Sequence, residues 1–147
     1  MSGVHQALGY VLIGVNAIAG LIGGWDWWQE RHTRAFWPLL RAGQLLVVLQ
    51  AAGGAALLIE GRSLPRLHLI YGLTPFAVAF VAEQLRLASS DTILQQRGLE
   101  GSADVAKLPP AEQRALVSLI VRREIGVMAA SAIVIALLAG RAQGWVL

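Results

Sequence analysis

Apolar residues along the chain gather into four long runs, and most of the charged residues lie in the stretches between them. A helix that crosses a bilayer needs about 20 mostly apolar residues. The second run reaches that length only if it extends backward across Arg41, whose long side chain can reach the membrane surface. The pattern predicts four membrane-spanning helices, at about residues 4–27, 36–60, 65–86 and 110–140.

The fourth helix is expected to start in water, because its apolar run begins only at Ile125 while Pro110 is well suited to the first turn of a helix. Before it lies the only long connection, at about residues 87–109. Within this connection Ser89, Ser90 and Asp91 are residues that cap helices, so a short surface helix ending near Gly98 is expected.

Composition supports a membrane protein rather than a soluble one. Of the 147 residues, 56% are hydrophobic and 14% are charged, and the mean hydropathy is +0.58. The fold class predicted is all-α, an integral membrane four-helix bundle formed by a single domain, residues 1–147. The chain has no cysteine, which excludes disulfides and thiolate metal sites. Its net charge of +3 lies at the helix flanks and indicates no nucleic-acid partner.

The first run also invites a second interpretation, as a secretory signal peptide. Ala17, Ile18 and Ala19 resemble the small-residue site at which such peptides are cleaved. A signal peptide normally begins with a positively charged segment, however, and none precedes this run. A spanning helix is therefore the favoured interpretation.

The distribution of cations predicts the orientation in the membrane. Nine of the twelve Lys and Arg residues belong to the first and third connections and their flanks, and three to the opposite side. Because cytoplasmic loops carry the excess of positive charge, both termini are expected outside the cytoplasm of a bacterial inner membrane, which the chain crosses several times. Trp25, Trp27, Trp28 and Trp37 would then form an aromatic belt at the inner surface, and Trp145 would lie at the outer one.

Two histidines carry most of the chemical information. His5 and His68 begin helices that run in the same direction, so both are expected at one depth near the outer surface. Each is followed four residues later by a glycine, Gly9 or Gly72, on the same helix face. Polar and small residues of a membrane helix should face protein, because lipid cannot satisfy their hydrogen bonds.

A glycine one turn below an inward histidine leaves a flat space beside the imidazole. Two imidazoles at one depth on neighbouring helices can ligate a single iron from opposite faces, as in haem-binding bundles. Arg62 and Arg66 lie at the same end, where they could pair with haem propionates. These residues suggest a site for one haem b, with His5 and His68 as metal ligands.

At these two HxxxG stretches the chain resembles the membrane-bound b-type cytochromes, whose four-helix bundles hold haem between histidines. It also resembles small bacterial four-helix membrane proteins with an LHxxYG-like third helix. The resemblance implies one haem with His5 and His68 as axial ligands, since His32, the third histidine, falls in the cytoplasmic loop. The implied function is that of an electron carrier, or of the haem-bearing subunit of a respiratory or quinone-linked complex.

Other interpretations fit the same residues. The histidines could bind another metal or a quinone, or have only a structural role in a haem-free accessory or assembly subunit. A small transporter subunit using Asn16, Gln50, Glu83 and Glu124 is a third class. Asn16 and Gln50 are expected to bond to each other, and Arg122 and Arg123 to mark the inner surface.

The glycine and alanine pairs of the first two helices, Gly20 with Gly24 and Ala52 with Ala56, indicate close packing between helices or between copies of the chain. Catalytic motifs are missing from the sequence, which has no Gly-x-Ser-x-Gly, no His-Glu-x-x-His and no phosphate loop. An independent catalytic activity is therefore not expected.

Cysteine labelling tests the orientation cleanly, because the chain has no cysteine of its own. In intact cells Gln96→Cys should be protected from a membrane-impermeant thiol reagent, and Gly144→Cys should react. The opposite pattern would show that the termini lie in the cytoplasm.

Overall fold

The computed structural model describes residues 3–63 and 65–145. In these residues all the regular structure is α-helical, as predicted. The helices are α1 (Gly3–Gln29), α2 (Phe36–Ile59), α3 (Arg66–Gln96), α4 (Ser102–Val105) and α5 (Pro110–Ala142).

Among the described residues, three helices are long and apolar enough to cross a membrane: α1, α2 and α5. The prediction of apolar spanning helices is confirmed at this level, and a membrane location is plausible. The helix α3 is longer than α2, but it is less apolar on average because its sequence includes His68, Thr74, Glu83 and Gln84. Membrane crossing by α3 stays a prediction.

The four long helices pack so that α5 is the most enclosed. It contacts α1 and α3 along much of its length, α1 also packs on α2, and α2 meets α3 more loosely. Half of the most apolar segment of α5 is buried, against 17% of that of α2. The two histidine-bearing helices, α1 and α3, are thus separated by α2 and α5. The expectation that they are neighbours was wrong, and their histidines face each other diagonally across the bundle.

Small residues set the distance between α1 and α5. A Cβ atom built on Gly20 would lie 2.5 Å from Ile133 Cδ1, and one built on Gly23 would lie 2.8 Å from Ala129 Cβ. Around this contact lies one group of buried side chains, and a second group lies closer to the histidines. The first includes Phe36, Leu40, Ile125 and Met128, and the second includes Leu12, Val47 and Ile135.

The connection between α3 and α5 is shorter than predicted, because α3 continues to Gln96 where a loop was expected from residue 87. The residues expected to cap a new helix do not interrupt the existing one. The hydroxyls of Ser89 and Thr92 bond to carbonyls one turn earlier, at 2.7 Å in both cases, and Ile93 is buried. Gly98, at φ +68°, ends the helix in the left-handed conformation that glycine tolerates best.

Asp104 organises the exposed turn that follows. It accepts hydrogen bonds from the Lys107 ammonium at 2.8 Å and from the Glu100 backbone N–H at 3.1 Å. These two donors lower the pKa of the Asp104 carboxyl. Asp104 and Lys107 therefore pair with each other at the surface, outside the bundle.

Asp26, inside the WDWW stretch, is a buried residue that the sequence did not single out. Its side chain is 1% exposed. One carboxylate oxygen accepts the Thr33 backbone N–H at 2.8 Å, and the other accepts the Thr33 hydroxyl at 2.6 Å. The carboxylate thereby closes the turn that joins α1 to α2.

Replacing Asp26 by alanine should destabilise the protein by about 2 kcal/mol or more, because a hydrogen bond to a charged group contributes about 1.5–3 kcal/mol and the Thr33 N–H loses its partner. Thr33→Val removes only the hydroxyl and should cost less. Denaturant-induced unfolding in detergent micelles would measure both. Equal stability of Asp26→Ala and the unmodified chain would show that this turn is held by other contacts.

Candidate functional site

The structure brings His5 and His68 together at one end of the bundle. Their ring centroids lie 6.2 Å apart, with the ring planes tilted by 59°. Each histidine stands in the first turn of its helix, and the parallel directions of α1 and α3 place these two turns at one level. Sequence periodicity correctly predicted that both side chains point into the bundle.

A backbone carbonyl decides which nitrogen of His68 carries the proton. Nδ1 of His68 lies 2.9 Å from the carbonyl oxygen of Ala142, near the end of α5. A carbonyl oxygen only accepts, so Nδ1 must donate. In the neutral ring Nε2 then bears the lone pair, which is available to accept a proton or bind a metal.

Gln50 of α2 orients His5 in a similar way. The amide nitrogen of Gln50 lies 3.0 Å from the backbone carbonyl oxygen of His5 and 3.2 Å from its Nε2. Since the carbonyl only accepts, the group facing it must be the NH₂ of the amide, and its second N–H points to Nε2. His5 therefore also carries its lone pair on Nε2. The other end of the amide, Gln50 Oε1, is buried and accepts no hydrogen bond from any described residue.

A cavity of about 180 Å³ adjoins these groups. Its inner wall contains the polar side chains of His5, Gln50, His68 and Gln143, and the remaining wall consists mainly of apolar residues of α2 and α3. Ala55, Leu58 and Leu73 belong to this wall and are also exposed on the outside of the bundle. The cavity thus opens between α2 and α3, where these two helices pack loosely.

The two glycines expected to leave flat spaces differ in the structure. A Cβ atom on Gly72 would meet nothing within 4 Å, so the space beside α3 is open. A Cβ atom on Gly9 would lie 2.0 Å from Gln143 Nε2 and 3.2 Å from Gln50 Nε2. The prediction of an open space at Gly9 was wrong, because the amide of Gln143 fills it.

Arg62 and Arg66 do not belong to the cavity wall. Arg62 forms an exposed ion pair with Glu60 at 3.7 Å. A different cation lies nearer, because the Arg141 guanidinium stands 5.8 Å from the ring centre of Tyr71, which lines the cavity. Sequence reasoning missed Tyr71 and Arg141. The direction of α5 could have predicted their position. This helix runs opposite to α1 and α3, so its last turn lies at the level of the histidines.

The expected bond between Asn16 and Gln50 does not form. Asn16 is fully buried and donates to the carbonyl of Leu12 at 3.0 Å, on its own helix. It packs against Gly43 of α2, where a Cβ atom would lie 2.8 Å from Asn16 Oδ1. The antiparallel register of α1 and α2 places Gln50 level with Gly9, almost two turns from Asn16, so counting residues from the helix ends misjudged the depth.

A charged cluster ties three helices together at the opposite end. Glu83 of α3 forms an ion pair with Arg41 of α2 and accepts from Arg86 at 2.9 Å, and Arg86 lies 3.7 Å from Glu124 of α5. Both arginines stand about 6 Å from the ring centre of Trp37. Glu83 and Glu124, considered for a transporter, are therefore engaged with cations.

Arg122 lies at this end too, with an ion pair to Glu30 at 2.5 Å. Arg122 stands 5.8 Å from the ring centre of Trp27 as well. The connection from α1 to α2 is thereby held to α5 at the end of the bundle opposite the histidines.

Comparisons with models of protein families, with curated proteins and with solved structures found no match to this chain. Within the described part of the chain, no group of three or more His, Cys, Asp or Glu side chains is arranged to hold a metal ion. Any metal at this site would depend on the two histidines together with ligands supplied by a cofactor.

Nitrogen-15 NMR of the two rings tests the assigned tautomers. In the neutral form both histidines should show a protonated Nδ1 and an unprotonated Nε2. Gln50→Leu removes the Gln50 N–H from His5 Nε2 and should shift the nitrogen-15 signals of that ring, while those of His68 stay unchanged. Gln96→Leu, at an exposed position, is the matched control. A protonated Nε2 on His68 in the neutral form would contradict the assignment.

Proposed function

We propose that this chain is a b-type haem protein of a bacterial inner membrane, in which His5 and His68 would hold one haem. It would act as an electron carrier or as the haem-bearing subunit of a respiratory or quinone-linked complex. The observation that carries the proposal is the facing pair of imidazoles, 6.2 Å apart, with both lone pairs on Nε2.

The spacing of the rings suits two ligands on one iron. A histidine nitrogen binds a metal at about 2 Å. Two such bonds in line, with slightly more than 1 Å from each nitrogen to its ring centre, separate the centroids by roughly 6 Å. The carbonyl of Ala142 also holds His68 as a second-shell acceptor commonly holds a metal-binding histidine.

The macrocycle fits the cavity only in part. Space is open at Gly72, whereas the Gln50 N–H occupies the lone pair of His5 and the Gln143 amide lies against Gly9. Haem binding therefore requires at least these two glutamine side chains to turn aside.

A haem held by two imidazoles would supply electron transfer rather than oxygen chemistry. The chain contributes the rest. The carbonyl of Ala142 orients His68, and apolar residues of α2 and α3 surround the site. Tyr71, with Arg141 above its ring, closes one side of the cavity.

The membrane arrangement belongs to the same proposal. The outer surface of α3 carries exposed large apolar side chains, including Leu67, Ile70, Leu73, Phe76 and Phe80. These residues favour contact with lipid or with other subunits, and so support α3 as a fourth spanning helix. The bias of nine cations against three supports termini outside the cytoplasm. The bilayer is then the main partner, with a second copy or other subunits as further candidates.

Protein produced with ample haem should be red and show the Soret band of a low-spin haem. His5→Ala and His68→Ala should each weaken haem binding by at least ten-fold, since loss of even a second-shell partner typically costs about 10–100-fold. The matched control is His32→Ala, which removes the exposed third histidine. Haem titration followed by absorbance would measure all three variants.

Folded protein without a Soret band, or variants that bind haem like the unmodified chain, would overturn this assignment. A haem-free accessory subunit would then be the better interpretation of the bundle.

A further inference from the structure

The cavity beside the histidines has the size of a single aromatic ring. It holds about 180 Å³, and an apolar protein cavity of about 150 Å³ is known to bind benzene. With Gln50 and Gln143 placed as they are, the cavity takes a one-ring molecule without displacing either side chain.

One polar residue of this cavity, His68, has a ring nitrogen that can only accept a hydrogen bond. Nε2 of His68 bears a lone pair, because Nδ1 donates to Ala142. The Gln50 amide differs, because its nitrogen is held by His5 and its oxygen Oε1 is closed off from the cavity space. An acceptor at an apolar cavity favours a partner that donates, so His68 selects a ligand that brings an O–H or N–H group.

The mouth of the cavity indicates where such a ligand comes from. Ala55 and Leu58 of α2 and Leu73 of α3 form the mouth and are exposed on the outer surface of the bundle. In a membrane-spanning bundle this surface faces acyl chains. A ligand with a polar ring and an apolar tail can therefore enter sideways from the bilayer and leave its tail in the lipid.

We propose that the haem-free chain binds the ring of a membrane hydroquinone in this cavity, with one hydroxyl donating to Nε2 of His68. The oxidised quinone offers only acceptors to this acceptor and binds more weakly. The inference goes beyond the haem assignment and does not depend on it, because the hydroquinone uses the cavity with Gln50 still bonded to His5. Haem and hydroquinone then compete for one site.

The test uses the full chain in lipid nanodiscs, without haem, and three ligands that share one ring and one ten-carbon tail. They are the 1,4-hydroquinone, its quinone and its dimethyl ether, which keeps the ring but has no O–H. Calorimetric titration under nitrogen should show the hydroquinone binding at least ten-fold more tightly than the other two, because ten-fold corresponds to about 1.4 kcal/mol, the order of one hydrogen bond.

Variants locate the site. His68→Phe should weaken hydroquinone binding by about ten-fold and remove its advantage over the ether, while Gln96→Leu leaves both unchanged. Gly72→Leu places a side chain in the open space and should weaken all three ligands. Folding of each variant is checked by its helical circular dichroism and its elution volume.

Similar affinities for the hydroquinone and the dimethyl ether would overturn the proposal, and so would full affinity in His68→Phe. The absorbance of separate haem-loaded samples reports on the haem assignment alone. Protein that stays colourless with haem but prefers the hydroquinone would support this inference and contradict the haem assignment. Protein that turns red with haem but shows no such preference would support the haem assignment and contradict this inference.

Discussion

The close approach of α1 to α5 is the contact on which the rest of this bundle depends. Lipid tails are as apolar as leucine, so membrane helices associate through tight packing of small residues rather than through burial from water. Gly20 and Gly23 provide such a surface, because any side chain there would meet Ile133 or Ala129. With α1 seated on one side of α5 and α3 on another, the last turn of α5 reaches the level of His5 and His68.

That position of α5 turns two histidines into an oriented pair. The carbonyl of Ala142 becomes available to His68 because α5 ends there, and the last carbonyls of a helix lack N–H partners within it. Gln143, one residue later, fills the space beside Gly9. The end of one helix thus sets the tautomer of one ring and the shape of the cavity.

The two ends of α2 and α3 have different contacts. At one end Glu83 joins Arg41 to Arg86, and Arg86 reaches Glu124, so three helices are tied by charge. Near the other end the two helices are separated by a cavity of about 180 Å³ with an apolar mouth. One end of the α2–α3 contact is thus joined by charged side chains, whereas the other end leaves a gap lined by apolar residues such as Ala55, Leu58 and Leu73.

The sequence by itself determined the helical class, the approximate helix starts and the shared level of His5 and His68, because these follow from apolar run length and from the 3.6-residue period. Local signals misjudged the end of α3, since serines that could cap a helix can also bond back within one. Only the tertiary structure decided that α1 and α3 lie diagonally across the bundle and that Gln50 bonds to His5 rather than to Asn16. It also placed Ala142, Gln143 and Tyr71 at the cavity. These contacts depend on the register and the order in which the helices pack. Steric fit between distant segments, such as Asn16 against Gly43, sets both. The periodicity of a single helix contains no information about that fit.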